Sequence, residues 1–136
     1  MNFSLPSSSS ETLAFLVLLI ALAGGLITLF APRMIMRWTG LALADGRAFG
    51  LSEIRGALGG FYVGVALYIL LSEPRPYIIL TFAFGFFCFG RILAFVVDRV
   101  HNPQHMGAIM GDAILATIPA MHTFGGFSFL EAILGW

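Results

Sequence analysis

Five ionisable side chains lie within or beside apolar stretches of the sequence: Glu53, Arg55, Arg91, Asp98 and Asp112. A charge at the centre of a lipid bilayer costs about 2.5–3.5 kcal/mol on insertion scales, so such residues usually pair or mark a ligand or ion pathway. The arginines and carboxylates could neutralise one another and fix the helix register. They could equally line a polar pocket for an anionic headgroup, a small ligand or a proton, and the sequence leaves both hypotheses open.

Catalysis and metal binding have little support in the sequence. The motifs G-x-S-x-G, G-x-x-x-x-G-K-[ST], H-E-x-x-H and C-x-x-C do not occur. His101 and His105 are four residues apart, but Pro103 lies between them and no third or fourth zinc ligand is evident. We therefore predict a protein that is not an enzyme and has no metal or other cofactor. A bound lipid, quinone or pigment remains open because the stretch 82–95 is rich in phenylalanine.

The composition indicates that lipid surrounds much of the chain. Of the 136 residues, 59% are hydrophobic and 10% are charged, whereas soluble domains have roughly 25% charged residues. All seven basic residues are arginine and the formal net charge is zero. Because nucleic-acid binding needs a clustered basic field, nucleic acid is excluded as a partner.

The elements that must position the charged residues are helices. A membrane-spanning helix needs about 20 apolar residues, and the sequence predicts four such spans: 12–31, 48–72, 77–97 and 106–124. Short interfacial helices are expected at 33–44 and at the C-terminus, where Trp136 would lie among the headgroups. The prediction is an all-α membrane protein, a four-transmembrane-helix bundle forming a single integral membrane domain over 1–136.

The arginines also predict an orientation. Arg33, Arg37 and Arg47 lie in the first loop and Arg99 in the third, whereas the second loop holds only Arg75. By the positive-inside rule, loops one and three face the cytoplasm of a bacterial inner membrane and both termini face the periplasm or outside. The five charged residues would then all lie in the half of the membrane next to loops one and three.

Small residues recur at every fourth position of two spans. The residues are Ser52, Gly56, Gly60 and Gly64 in span two, and Gly107 and Gly111 in span four. Small residues four apart let helix backbones approach closely in lipid. At about 100° per residue, Glu53 shares the face of Gly60 and Gly64. Packing within the bundle and an interface with another subunit both fit this pattern.

Short motifs resemble a known bacterial family. Glu53-Ile54-Arg55-Gly56 with Gly59-Gly60, then Gly90-Arg91 and Asp98, are similar to the pattern of the four-span membrane proteins called domain of unknown function 4345. The resemblance implies a four-helix membrane bundle and supplies no activity. Members often have an acidic residue, usually Glu, early in span four, and Asp112 at that place is a departure from the pattern.

Two functions follow as hypotheses. The first is a non-catalytic accessory subunit of a larger membrane complex, photosynthetic or respiratory, whose partners are lipid and other integral membrane subunits. The alternative is a small carrier or ligand-binding bundle, assembled as a homo-oligomer, that uses Glu53, Arg91, Asp98 and Asp112.

Overall fold

The computed structural model describes residues 4–135, and within that range the chain is helical without any strand. The helices are α1 (Ser9–Phe30), α2 (Pro32–Thr39), α3 (Phe49–Leu71), α4 (Ile78–Val97), α5 (Pro103–Phe124) and α6 (Gly126–Leu134). The all-α prediction is confirmed, and the four long helices begin and end within three residues of the predicted spans. Trp136 lies outside the described residues.

Three of these helices, α1, α3 and α4, are long and apolar enough to cross a membrane. Helix α5 meets the same test only together with α6, and the two helices meet at a bend of 93°. The first half of α5 is polar, with Gln104, His105 and Asp112, which explains why α5 alone is less apolar than the others. The described chain therefore has three helices that could cross a membrane, or four if α5 and α6 form one broken span.

Glycines in the left-handed conformation end helices α2 and α5. Gly40 adopts φ 74° directly after α2, so α2 stops at Thr39 rather than at the predicted residue 44. Gly125 adopts φ 71° between α5 and α6. A residue with a side chain is rarely stable at such positive φ values, so these glycines fix where each helix ends.

The chain divides into two compact units. One unit comprises residues 18–75, that is, most of α1 with α2 and α3. In this unit α3 contains a π-helical segment, Ile54–Gly60, at the place where it approaches α1. A π turn holds one more residue than an α turn.

The other unit comprises residues 4–17 and 76–135, with the start of α1, α4, α5 and α6. Helices α4 and α5 pack against each other, and Asn102 begins α5 by accepting a hydrogen bond from the His105 N–H at 2.7 Å. The buried side chains Leu80 and Phe84 of α4, and Ala116 and Pro119 of α5, lie away from the 98–102 loop. The end next to that loop is less buried and more polar.

Candidate functional site

The charged pair of the α4–α5 hairpin is Arg91 and Asp112. The Arg91 Nε atom lies 2.6 Å from the Asp112 Oδ2 atom, and the two side chains are 32% and 14% exposed. Such a short charge-assisted hydrogen bond is about twice as strong as a neutral one. The structure thus brings together Arg91 and Asp112, two of the five charged residues that the sequence singled out.

Two further polar contacts accompany the pair along the same helix face. His105 donates from Nε2 to the Arg91 carbonyl at 2.9 Å, and the Cys88 thiol lies 3.6 Å from the Ile109 carbonyl. Residues 105, 109 and 112 are spaced three and four apart, which places them on one face of α5. Since His105 holds the main chain of Arg91 while Asp112 holds its side chain, Arg91 is fixed at both ends.

The Arg91 side chain is 32% exposed and carries hydrogen-bond donors beyond the one that Asp112 accepts. Its guanidinium carbon atom lies 5.6 Å from the centre of the Phe87 ring, a distance that allows a cation–π contact. A guanidinium has five N–H groups, and among residues 4–135 only the one on Nε has a hydrogen-bond acceptor. The two Nη groups are therefore free to bind an oxygen ligand.

Arg55 has a different environment in the 18–75 unit. Its Nη1 atom donates to the carbonyl oxygens of Leu29 and Phe30, at the last turn of α1. The last carbonyls of a helix have no partner within the helix, and a cation there also interacts favourably with the helix dipole. Arg55 thus serves as a side-chain cap for α1, and no carboxylate among the described residues pairs with it.

The other two members of the predicted cluster are exposed. Glu53 and Asp98 lie on the surface, and neither forms an ion pair with a residue in the range 4–135. Asp98 shares a helix with Arg91, but Arg91 pairs across the hairpin with Asp112 instead. In the unit that contains α4 and α5, the structure thus pairs two of the three predicted charged residues, Arg91 and Asp112, and leaves Asp98 apart.

The closest helix contact in the 18–75 unit lies one position away from the predicted glycine face. A Cβ atom added to Gly59 would lie 2.6 Å from the Leu29 nitrogen, and one added to Gly25 would lie 3.0 Å from the Tyr62 Cβ. The first distance is shorter than real Cβ contacts, so position 59 requires glycine, whereas the contact at Gly25 is tight and a side chain there would push its neighbours by a few tenths of an ångström. Neither residue belongs to the four-residue packing pattern predicted from the sequence, although Gly59 directly precedes Gly60.

Four of the five predicted packing glycines have open space beside them, and a Cβ added to the fifth, Gly60, would lie 3.6 Å from the Arg55 carbonyl oxygen, an ordinary contact. Among the described residues, nothing lies within 4 Å of a Cβ added to Gly56, Gly64, Gly107 or Gly111. The π turn explains part of the difference, because one extra residue rotates the faces on its two sides by roughly 100°. Regular α-helical geometry predicted that Glu53 and Ser52 lie on the same helix face as Gly60 and Gly64. The π turn takes them out of line with those glycines.

A second polar contact lies at the opposite end of the α4–α5 hairpin. The Ser10 Oγ atom is 3.0 Å from the His122 Nδ1 atom, and the Tyr77 ring meets the His122 ring edge to face with centres 5.2 Å apart. His122 therefore links the start of α1 to the end of α5 as a hydrogen-bonded histidine. Within residues 4–135 no group of three metal-binding side chains is close enough to hold an ion.

Comparison with known proteins gives no match to a family model, a curated protein or a solved structure. The resemblance to the four-span bacterial family stays a prediction.

Proposed function

We propose that the protein is a small non-catalytic integral membrane protein that crosses the membrane four times and serves as an accessory subunit of a larger membrane complex. The observation that carries this proposal is the open space beside Gly56, Gly64, Gly107 and Gly111. Gly107 and Gly111 have the four-residue spacing of close helix–helix contacts, and no helix of the described chain fills the space beside any of the four glycines.

The membrane placement is supported by how little of each long helix the chain itself covers. Only 33% of the apolar window of α1 is buried, and the values for α3 and α4 are 17% and 11%. Many of the exposed side chains are large and apolar, including Phe82, Phe86 and Phe89 of α4. Such a surface favours lipid or the helices of other subunits as its surroundings.

The orientation follows from the arginines, with loops one and three in the cytoplasm of a bacterial cell and both termini outside. The resemblance to the four-span bacterial family supports the same placement. In this arrangement Gly64 of α3, and Gly107 with Gly111 of α5, would each receive a helix from a partner, because a lipid acyl chain fills the space beside a glycine less well than a helix backbone does.

The experiment that tests this proposal is the native mass of the protein after extraction from its own membrane in a mild detergent. We expect a mass far above 14.7 kDa together with defined co-purifying chains, which would identify the complex. Substitution of Gly64 by Leu should release those chains while the protein still inserts into the membrane. A lone monomer or homo-oligomer in the mild detergent would contradict the accessory role.

A second candidate, a ligand-binding bundle, is favoured by one observation. The Nη groups of Arg91 have no hydrogen-bond acceptor among the described residues, although the side chain is held rigidly by Asp112. This candidate predicts that Asp112→Asn abolishes a binding signal, whereas in an accessory subunit the same change mainly alters assembly.

A further inference from the structure

We propose that the exposed arginine face of helix α2 binds anionic phospholipid headgroups, and that Arg33 and Arg37 together select such lipids over zwitterionic ones. This lipid site rests on the membrane placement in the proposed function, but it needs no partner subunit. It lies within the 18–75 unit, apart from the Arg91–Asp112 pair.

Helix α2 lies where the first apolar helix ends. The 22 residues of α1 extend about 33 Å along the helix axis, close to the roughly 30 Å of hydrocarbon in a bilayer. Helix α2 begins at Pro32, and Ala31 before it has non-helical φ and ψ angles of −127° and 55°. Helix α2 also lies against the 54–60 segment of α3, where Arg55 donates to the last carbonyls of α1. In the proposed placement α2 is therefore level with the lipid headgroups.

The side chains of α2 divide into three faces. Pro32 and Met36 are buried. Arg33 and Arg37 are exposed on a second face, and Trp38 is 66% exposed on a third. At about 100° per residue, the two arginines lie within about 40° of each other and roughly 100–120° from the other two faces. Arginine on one exposed face and tryptophan on another are typical of a helix that lies in the membrane interface.

Arg33 and Arg37 also have no compensating charge in the described chain. Helix α2 contains no carboxylate, and the next one along the chain, Asp45, lies 3.7 Å from Arg47. Glu53 of α3 pairs with neither arginine. The proposed orientation places α2 at the cytoplasmic leaflet, whose anionic lipids give it a negative surface potential. A lipid surface meets both the arginine face and the tryptophan face, whereas an acidic protein segment would meet only the first.

The test measures which lipid surrounds Trp38. Trp136→Phe leaves Trp38 as the only tryptophan, and this full-length variant is reconstituted into vesicles of phosphatidylglycerol and phosphatidylcholine in equal amounts. Bromine atoms on the acyl chains of one lipid or the other quench tryptophan fluorescence at short range. We expect brominated phosphatidylglycerol to quench more strongly, with an association constant about tenfold above that of phosphatidylcholine.

In the same background, Arg33→Gln and Arg37→Gln should each lower this preference about threefold, and the double variant should abolish it. Arg33→Lys combined with Arg37→Lys should keep the preference, because the site recognises charge. The matched control combines Arg47→Gln with Arg99→Gln, which removes the same total charge from exposed arginines outside α2. In about 1 M salt the preference should fall below about twofold, since the screening length is then about 3 Å.

An equal loss in the control pair would overturn the site, because it would reflect the net charge of the protein. An unchanged preference in the double glutamine variant, or a lost one in the folded double lysine variant, would also overturn it. If α2 meets an acidic subunit instead, the purified protein will show no lipid preference and Arg33→Gln will release chains from the native complex. Absence of quenching by both lipids would refute the membrane placement of α2. A lone monomer in the native-mass experiment would refute only the accessory role.

Discussion

Arg55 and Arg91 each lie six residues from one end of a long helix, but their guanidinium groups have different hydrogen-bond partners. Arg55 lies six residues after the start of α3 at Phe49, and Arg91 lies six residues before the end of α4 at Val97. Arg55 donates to main-chain carbonyls of α1, whereas Arg91 pairs with the carboxylate of Asp112. Arg55 therefore has no carboxylate partner, whereas Arg91 forms an ion pair and its Nη groups have no acceptor among residues 4–135.

The difference extends to how each unit packs. Beside Arg55, the main chains of α1 and α3 come into close contact through Gly59 at Leu29, so the helix pair is held by backbone proximity. Beside Arg91, the contacts between α4 and α5 pass through the side chains of His105 and Asp112. Polar side chains keep two helices in register by hydrogen bonding, whereas a glycine contact does so by excluding anything larger.

The largest expected effect comes from filling the glycine contact. Gly59→Leu should lower the free energy of unfolding by about 2–3 kcal/mol, because even a Cβ atom would overlap the Leu29 backbone. The matched control, Gly56→Leu, has open space and should stay within about 0.5 kcal/mol of the wild type. Unfolding in mixed micelles with increasing dodecyl sulfate, followed by circular dichroism, measures both. Equal losses in the two variants would show that backbone proximity does not hold this unit together.

Removing the partner of Arg91 should lower the free energy of unfolding more than removing Arg55 does, and both losses should be smaller than that of Gly59→Leu. Asp112→Asn leaves the Arg91 charge without its partner and should cost about 1–3 kcal/mol, less than a fully buried pair would because both side chains are partly exposed. Arg55→Met removes only hydrogen bonds to carbonyls and should cost about 1 kcal/mol. The same unfolding assay applies. If Arg55→Met proved the more damaging change, the contrast between a charge pair and a carbonyl cap would be reversed.

The smallest effect is expected at the exposed carboxylates. Glu53→Gln and Asp98→Asn should each change the free energy of unfolding by less than about 0.5 kcal/mol, since neither residue pairs with another described residue. The Asp112→Asn variant is the reference. A loss at Asp98 as large as that at Asp112 would mean that Arg91 serves both carboxylates.

Much of the helical architecture could be predicted because it depends on local properties. The span predicted at 77–97 is observed as Ile78–Val97, and the one at 48–72 as Phe49–Leu71. Long apolar runs in lipid have to satisfy their own backbone hydrogen bonds, and a helix does so within one segment. The proline and glycine positions mark where those segments end.

The site was only partly predictable for the opposite reason. The sequence indicated that Arg91 and Asp112 lie near the same end of two adjacent helices, but pairing requires a particular rotation of each helix. The cap that Arg55 makes on Leu29 joins residues 26 apart, and no local pattern specifies it. Gly59 was missed because the four-residue spacing selected its neighbour Gly60.

The sequence by itself determined where this chain is helical and which residues bring charge into apolar surroundings, because both depend on composition over a few turns. Only the tertiary structure decided which charges meet, through the register of the α4–α5 hairpin, and which glycines touch another backbone. The π turn at Ile54–Gly60 illustrates the physical reason. One additional residue in a turn rotates a helix face by roughly 100°, and the contacts that select such a turn come from the neighbouring helix.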